Sequence, residues 1–127
     1  MKREIKFRAK AINDDFFKGE WVYGYYTKEL WSGNLLDVIT DGANDIPIQI
    51  ETLGQFTGLC DKDGKEIYEG DILLMGEDDG CMIYNEVGIK DGCFGYIGEV
   101  NGELIPFCHF NVKEEIAGNI YDNSNLI

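Results

Sequence analysis

Gly54-Gln-Phe-Thr-Gly-Leu-Cys-Asp-Lys-Asp-Gly-Lys-Glu-Ile-Tyr-Glu-Gly-Asp-Ile72 is the stretch that decides the fold. Phe56-Thr57-Gly58-Leu59 reads as a short strand, and Asp61-Lys62-Asp63-Gly64 as a tight reversal. An aspartate can bond the backbone ahead of it, and glycine accepts positive φ, so this tetrapeptide turns the chain easily. Glu69-Gly70-Asp71 is a second reversal, and it delivers Ile72-Leu73-Leu74-Met75 into an apolar strand. A strand and two reversals within nineteen residues lead directly into a second strand.

Upstream, Ile5, Phe7, Ala9 and Ala11 alternate with Lys6, Arg8 and Lys10, the period of a strand with one buried face. The basic face of that strand is expected to be solvated. After the break at Asn13-Asp14-Asp15, Glu20-Trp21-Val22-Tyr23-Gly24-Tyr25-Tyr26 is rich in aromatics, which suit a pleated, half-buried surface. Together they predict a hairpin, with Gly24 marking a bulge or a close backbone approach. Thr27 to Asn34 gives a mixed signal, with a turn at Trp31-Ser32-Gly33-Asn34. Leu35–Ile39 and Ile46–Ile50 read as strands, and Pro47, which cannot donate to a ladder, places the latter at an edge.

Downstream, the acidic turn Glu77-Asp78-Asp79-Gly80 precedes Cys81–Tyr84, and Val87–Lys90 continues as strand. Asp91-Gly92, before Cys93–Ile97, and Asn101-Gly102, joining Glu99-Val100 to Glu103–Ile105, are hairpin signals that predict a meander. Lys113–Ala117 could open a helix, but Gly118 and Asn119-Ile120-Tyr121 favour an extended end. The expectation is a mainly β chain of small antiparallel sheets with little helix.

The chain has 127 residues, enough for one domain, or for two small β subdomains with a boundary near residues 50–55. Its formal charge of −13 is uneven: the first ten residues carry +4 and the remainder −17. An acidic body repels phosphate, so no direct nucleic-acid partner is expected. Cys60, Cys81, Cys93 and Cys108 accompany a start, Met1-Lys-Arg-Glu-Ile-Lys-Phe, that has no secretory pattern, and no apolar run is long enough to span a membrane. Buried, free thiols in a reducing cytoplasm are therefore expected.

Candidate chemistry is sparse. Asp61, Asp63, Glu66, Glu69 and Asp71 invite a cation-site reading, yet Gly64 directly follows Asp63 and breaks the EF-hand register. A carboxylate site of another kind there or at Glu77-Asp78-Asp79 stays open, although polar turns explain the composition. The cysteines are too widely spaced for a structural zinc site, and Cys108 and His109, if extended, point to opposite faces. A thiol paired through folding with His109, the only histidine, is the remaining nucleophile arrangement. Trp21, Tyr23, Tyr25, Tyr26 and Trp31 could stack on bases, but core packing and a subunit interface are favoured because no basic residue lies nearer to Gly24-Tyr25-Tyr26 than Lys28. No catalytic, cofactor-binding or metal-ligating residue is assigned, and no cofactor is expected.

Ile5-Lys6-Phe7-Arg8-Ala9, Trp21-Val22-Tyr23-Gly24, the Gly54–Ile72 block and Ile116-Ala117-Gly118-Asn119-Ile120-Tyr121-Asp122-Asn123 together resemble the YopX family of bacteriophage and prophage proteins. The resemblance spans the whole chain as one YopX-like domain over residues 1–127. It implies a mainly β fold with an SH3-like barrel portion after the Gly70-Asp71 turn, and an oligomeric assembly. It carries over no catalytic residue. The function expected is that of a non-enzymatic phage accessory protein acting through contacts with itself and with a host or phage protein. The alternatives are an acidic decoy that occupies a host nucleic-acid-binding protein, and a metal- or thiol-dependent enzyme.

Overall fold

The computed structural model describes residues 5–97, 102–107 and 114–126. The chain divides into two compact units, Met1–Phe56 and Thr57–Ile127. Both are built from antiparallel strands, and the helical content of the described residues is two 3-10 turns, Ile50–Thr52 and Ser124–Leu126.

In the first unit, β1 (Phe7–Lys10) pairs with β2 (Trp21–Trp31), which pairs with β3 (Asn34–Thr40), which pairs with β4 (Asp45–Pro47). On the other side of β1 lies the start of β5 (Gly54–Cys60), where Gln55 and Gly54 face Phe7 and Arg8. The core holds Ala9, Ile39 and Ile48, with Phe7, Val22, Tyr26 and Leu53 packed against them. Gly24 is a point of close approach: a Cβ there would collide with the Thr40 carbonyl oxygen. Pro47 sits on the edge strand β4, as its missing N–H requires. β2 is longer than the sequence signals imply, running eleven residues to Trp31. Ser32-Gly33 closes the β2–β3 hairpin with φ of 50° and 85°. Positive φ at both central residues defines a type I′ turn, whose twist matches that of the flanking strands.

In the second unit, the end of β5 lies beside β6 (Glu66–Tyr68). β7 (Asp71–Asp78), β8 (Cys81–Lys90), β9 (Cys93–Ile97) and β10 (Leu104–Pro106) form the expected meander, and β11 (Glu115–Asn119) returns to pair with β7. Asp79-Gly80 and Asp91-Gly92 repeat the positive-φ pair of Ser32-Gly33. The reversal at Asn101-Gly102 lies partly outside the described residues, as do Glu99 and Val100. Ile67, Leu73 and Val87 are fully buried, with Leu59, Met75, Phe107 and Ile116 against them. Each such aliphatic side chain contributes about 1.5–3 kcal/mol on burial. The sheet order β10-β9-β8-β7-β11 has two open edges, and no pairing among the described residues closes it into a barrel.

Candidate functional site

Two carboxylates of the Gly54–Ile72 block, Asp61 and Asp71, are structural acceptors. Asp61 is 6% exposed. Its Oδ1 accepts the N–H groups of Asp63 and Lys65, each at 2.9 Å, and its Oδ2 accepts that of Ile116 at 3.0 Å. Burial pushes the Asp61 carboxyl up, but the donors from Ile116, Lys65 and Asp63 and the Lys65 charge outweigh it and hold the group below its ordinary value. Asp61 therefore ties its own turn to β11. Asp71, also buried, accepts the Tyr68 N–H at 2.7 Å and fixes the second reversal. Among the described residues no three His, Cys, Asp or Glu side chains converge on a metal-sized site. Glu77, Asp78 and Asp79 lie at the exposed end of the β7–β8 hairpin.

One acid in this unit is destabilised as an anion. Burial and then the nearby Glu69 charge raise the Glu86 carboxyl above its usual range. A shallow cavity of about 260 Å³ is lined by Lys62, Leu74, Met75, Gly76, Glu114 and Glu115, with Lys62 Nζ 3.8 Å from Glu115.

Cys60, Cys81 and Cys93 are free, but all three are exposed, contrary to the expected burial. Each stands at an end of its strand rather than at an inward position. Cys108 and His109 lie outside the described residues.

The aromatic group of β2 divides by the alternation of the strand. Tyr26 faces the core and donates its hydroxyl to Asp37 at 2.5 Å; that bond, then burial, then the Asp37 charge raise its pKa. Trp21 and Tyr23 take the opposite face and stand against Lys10 and Arg8 of β1. The Arg8 guanidinium carbon lies 4.7 Å from the Trp21 ring centre, and the Lys10 ammonium 5.6 Å from it. Lys6 lies 5.1 Å from the Phe56 ring. Basic residues therefore do accompany the aromatics, supplied by the neighbouring strand rather than by neighbours in sequence. The face is not a solvated one either: Arg8 is 6% exposed. Strand pairing turned a sequence separation of thirteen residues, from Arg8 to Trp21, into ring contact.

A feature without a clear sequence signal lies at the far end of β2. Beyond Gly24 β2 has left β1, and before Val38 β3 has not yet met β4. The β2–β3 ribbon thus extends with no third strand among the described residues. At its end Leu30 stands directly opposite Leu35, and the two are 71% and 64% exposed. Trp31, on the other face, donates its indole N–H to Glu29 at 3.0 Å. Continuing the alternation of Tyr25-Tyr26 to Trp31 and taking Ser32-Gly33 as the whole turn would have located this arm.

A protein-family model described as YopX protein matches residues 6–127. The chain belongs to the YopX family. A solved structure, the crystal structure of protein EF1440 from Enterococcus faecalis, is 23% identical, with 98% of this chain and 99% of that chain covered and a TM-score of 0.58. That likeness shows that the two chains share a fold over their full length. Comparison with curated proteins finds no match. In this YopX chain no helix among the described residues is long and apolar enough to cross a membrane.

Proposed function

We propose that this YopX-family chain is a phage or prophage accessory protein that works in the host cytoplasm through protein contacts, as a homo-oligomer, and performs no covalent chemistry. The observation that carries the reading is the apolar arm of the first unit, where Leu30 and Leu35 form an exposed pair at the end of a ribbon that no third strand among the described residues supports. Two-stranded ribbons are marginal in water, and open strand edges pair readily with other chains. Supporting it, the two buried acids of the Gly54–Ile72 block, Asp61 and Asp71, act as internal fasteners. Size-exclusion chromatography with light scattering should give a defined oligomer. A strict monomer at micromolar concentration removes the assembly part. Affinity capture of host and phage proteins from infected cells then identifies the further partner.

The decoy reading draws on one specific observation. Residues 57–127 contain fifteen acidic and four basic residues, a net charge of −11, whereas residues 1–56 contain nine and seven, a net of −2. A field of that size attracts basic proteins. Against it, Asp61 and Asp71 are buried and Glu66, Glu69 and Glu86 are half-buried, so these acids do not form an exposed array. Failure of the purified chain to displace DNA from host nucleases and repressors would end this reading.

A further inference from the structure

We propose that the β3 edge of the arm is a self-pairing site, at which two copies of this chain join ribbon to ribbon with Leu35 on the two-fold axis. The inference rests on the oligomeric reading above and assigns it a surface. The Ile48 N–H donates to the Asp37 carbonyl from the β4 side at 3.0 Å, so Asp37 turns its backbone groups outward. Two residues earlier, by the period of the strand, Leu35 presents its N–H and C=O on the same edge. Among the described residues no strand meets that edge between Asn34 and Leu36. An antiparallel copy centred there would let Leu35 exchange both backbone hydrogen bonds with the partner's Leu35.

The side chains agree with that register. Leu30 and Leu35 are cross-strand partners on one face. Pairing at the β3 edge therefore sets Leu30, Leu35, the partner's Leu35 and the partner's Leu30 in one row across four strands. The row would bury two side chains per copy that now stand in water. Asn34 comes opposite the partner's Leu36, and Asp37 stays covered by Ile48 of its own chain, so no like charges face each other.

Charge also selects a second copy as the occupant. Within Thr27–Asp37 the charged residues are Lys28, Glu29 and Asp37, and Lys28 lies 3.5 Å from Asp37. This near-neutral ribbon belongs to a chain of −13. A basic protein or a polycation would be drawn to the second unit, with its net charge of −11, rather than to the arm. What the arm offers is a bare strand edge and a leucine pair, and an identical arm complements both. The contact is small, in the class of weak, transient interfaces below about 1,200 Å².

Sedimentation equilibrium of the full chain at low and high sodium chloride tests this. The wild type should show a reversible monomer–dimer equilibrium that tightens with salt, because screening relieves repulsion between acidic bodies. Leu35→Lys puts two like charges at the axis and should raise the dissociation constant at least roughly tenfold. Leu30→Lys, away from the pairing edge backbone, is the second variant. Both should keep the wild-type circular dichroism and melting profile, since the side chains replaced are exposed. If the wild type associates and both lysine variants associate equally well, the arm is not the site while the oligomeric reading stands. Association that weakens with salt identifies a charge-led interface and also overturns the arm. A wild type that stays monomeric overturns both.

Discussion

Both units of this chain use aspartates as turn acceptors, but Asp14 and Asp41 of the first stand exposed while Asp61 and Asp71 of the second are buried. In the first, the cations of Lys6, Arg8 and Lys10 lie over aromatic rings, and the charges of the arm are tied off by Lys28–Asp37 and by Glu29 with the Trp31 indole. In the second, carboxylates enter the structure and hold turns and strand ends through backbone N–H groups, as Asp61 and Asp71 do. Net charge follows the same division, −2 against −11. A bulk property such as −13 therefore says little about any particular surface. The near-neutral unit exposes the apolar arm, and the acidic unit turns part of its charge inward.

The sharpest way to break the comparison is to damage one unit and read the other. Both tryptophans, Trp21 and Trp31, lie in the first unit, so their fluorescence reports on it alone. Gly24→Ala should have the largest effect, about 3 kcal/mol or more of destabilisation in urea, because the methyl meets the Thr40 carbonyl and not a side chain that can yield. The fluorescence transition should move with it. Asp61→Ala leaves three backbone N–H groups without their acceptor and should destabilise by about 2–3 kcal/mol. If the tryptophan transition stays in place while the circular dichroism transition moves, the units unfold separately; coincident shifts mean they unfold together.

Acid should act on the second unit through the same residue. The folded Asp61 has a pKa below its unfolded value of 3.8, so its contribution is full above that value and is lost as pH falls through the folded pKa. Asp61→Asn should flatten the acid limb of a thermal-melt series. Glu86 has the opposite sign. Its folded pKa is raised above 4.5, so the stability it provides is present below 4.5 and is lost as pH rises through the folded pKa. Glu86→Gln should therefore raise the melting temperature at pH 7 and change it little at pH 4. The smallest effect belongs to the first unit: Tyr26→Phe removes one hydroxyl bond to Asp37 and should lower stability by about 1 kcal/mol in urea denaturation.

Much of the β architecture was legible because turn chemistry is local. Asp91-Gly92 and Asp61–Gly64 announced reversals, Pro47 announced an edge, and Gly24 announced a close approach, since each residue type solves a backbone problem at its own position. The arm was harder to see because Thr27–Asn34 mixes Lys28 and Glu29 with Leu30 and Trp31, and only the ladder to β3 resolves the pattern. The cation–ring face was misjudged because Lys6, Arg8 and Lys10 are far from the aromatics in sequence and adjacent only after pairing. For the cysteines, composition suggested burial, but strand ends left Cys60, Cys81 and Cys93 exposed.

The bond from Ile116 to Asp61 has a consequence in time as well as in stability. The β7–β8–β9 meander needs only neighbouring residues and two-residue turns, so it can form early and quickly. The last strand must instead bridge 55 residues to reach the Asp61 carboxylate. Closing so long a loop is entropically slow to begin and is rewarded only once it is complete. On a ribosome, the hairpins can be in place while the chain is still being made, and the second unit locks only after Ile116 has emerged.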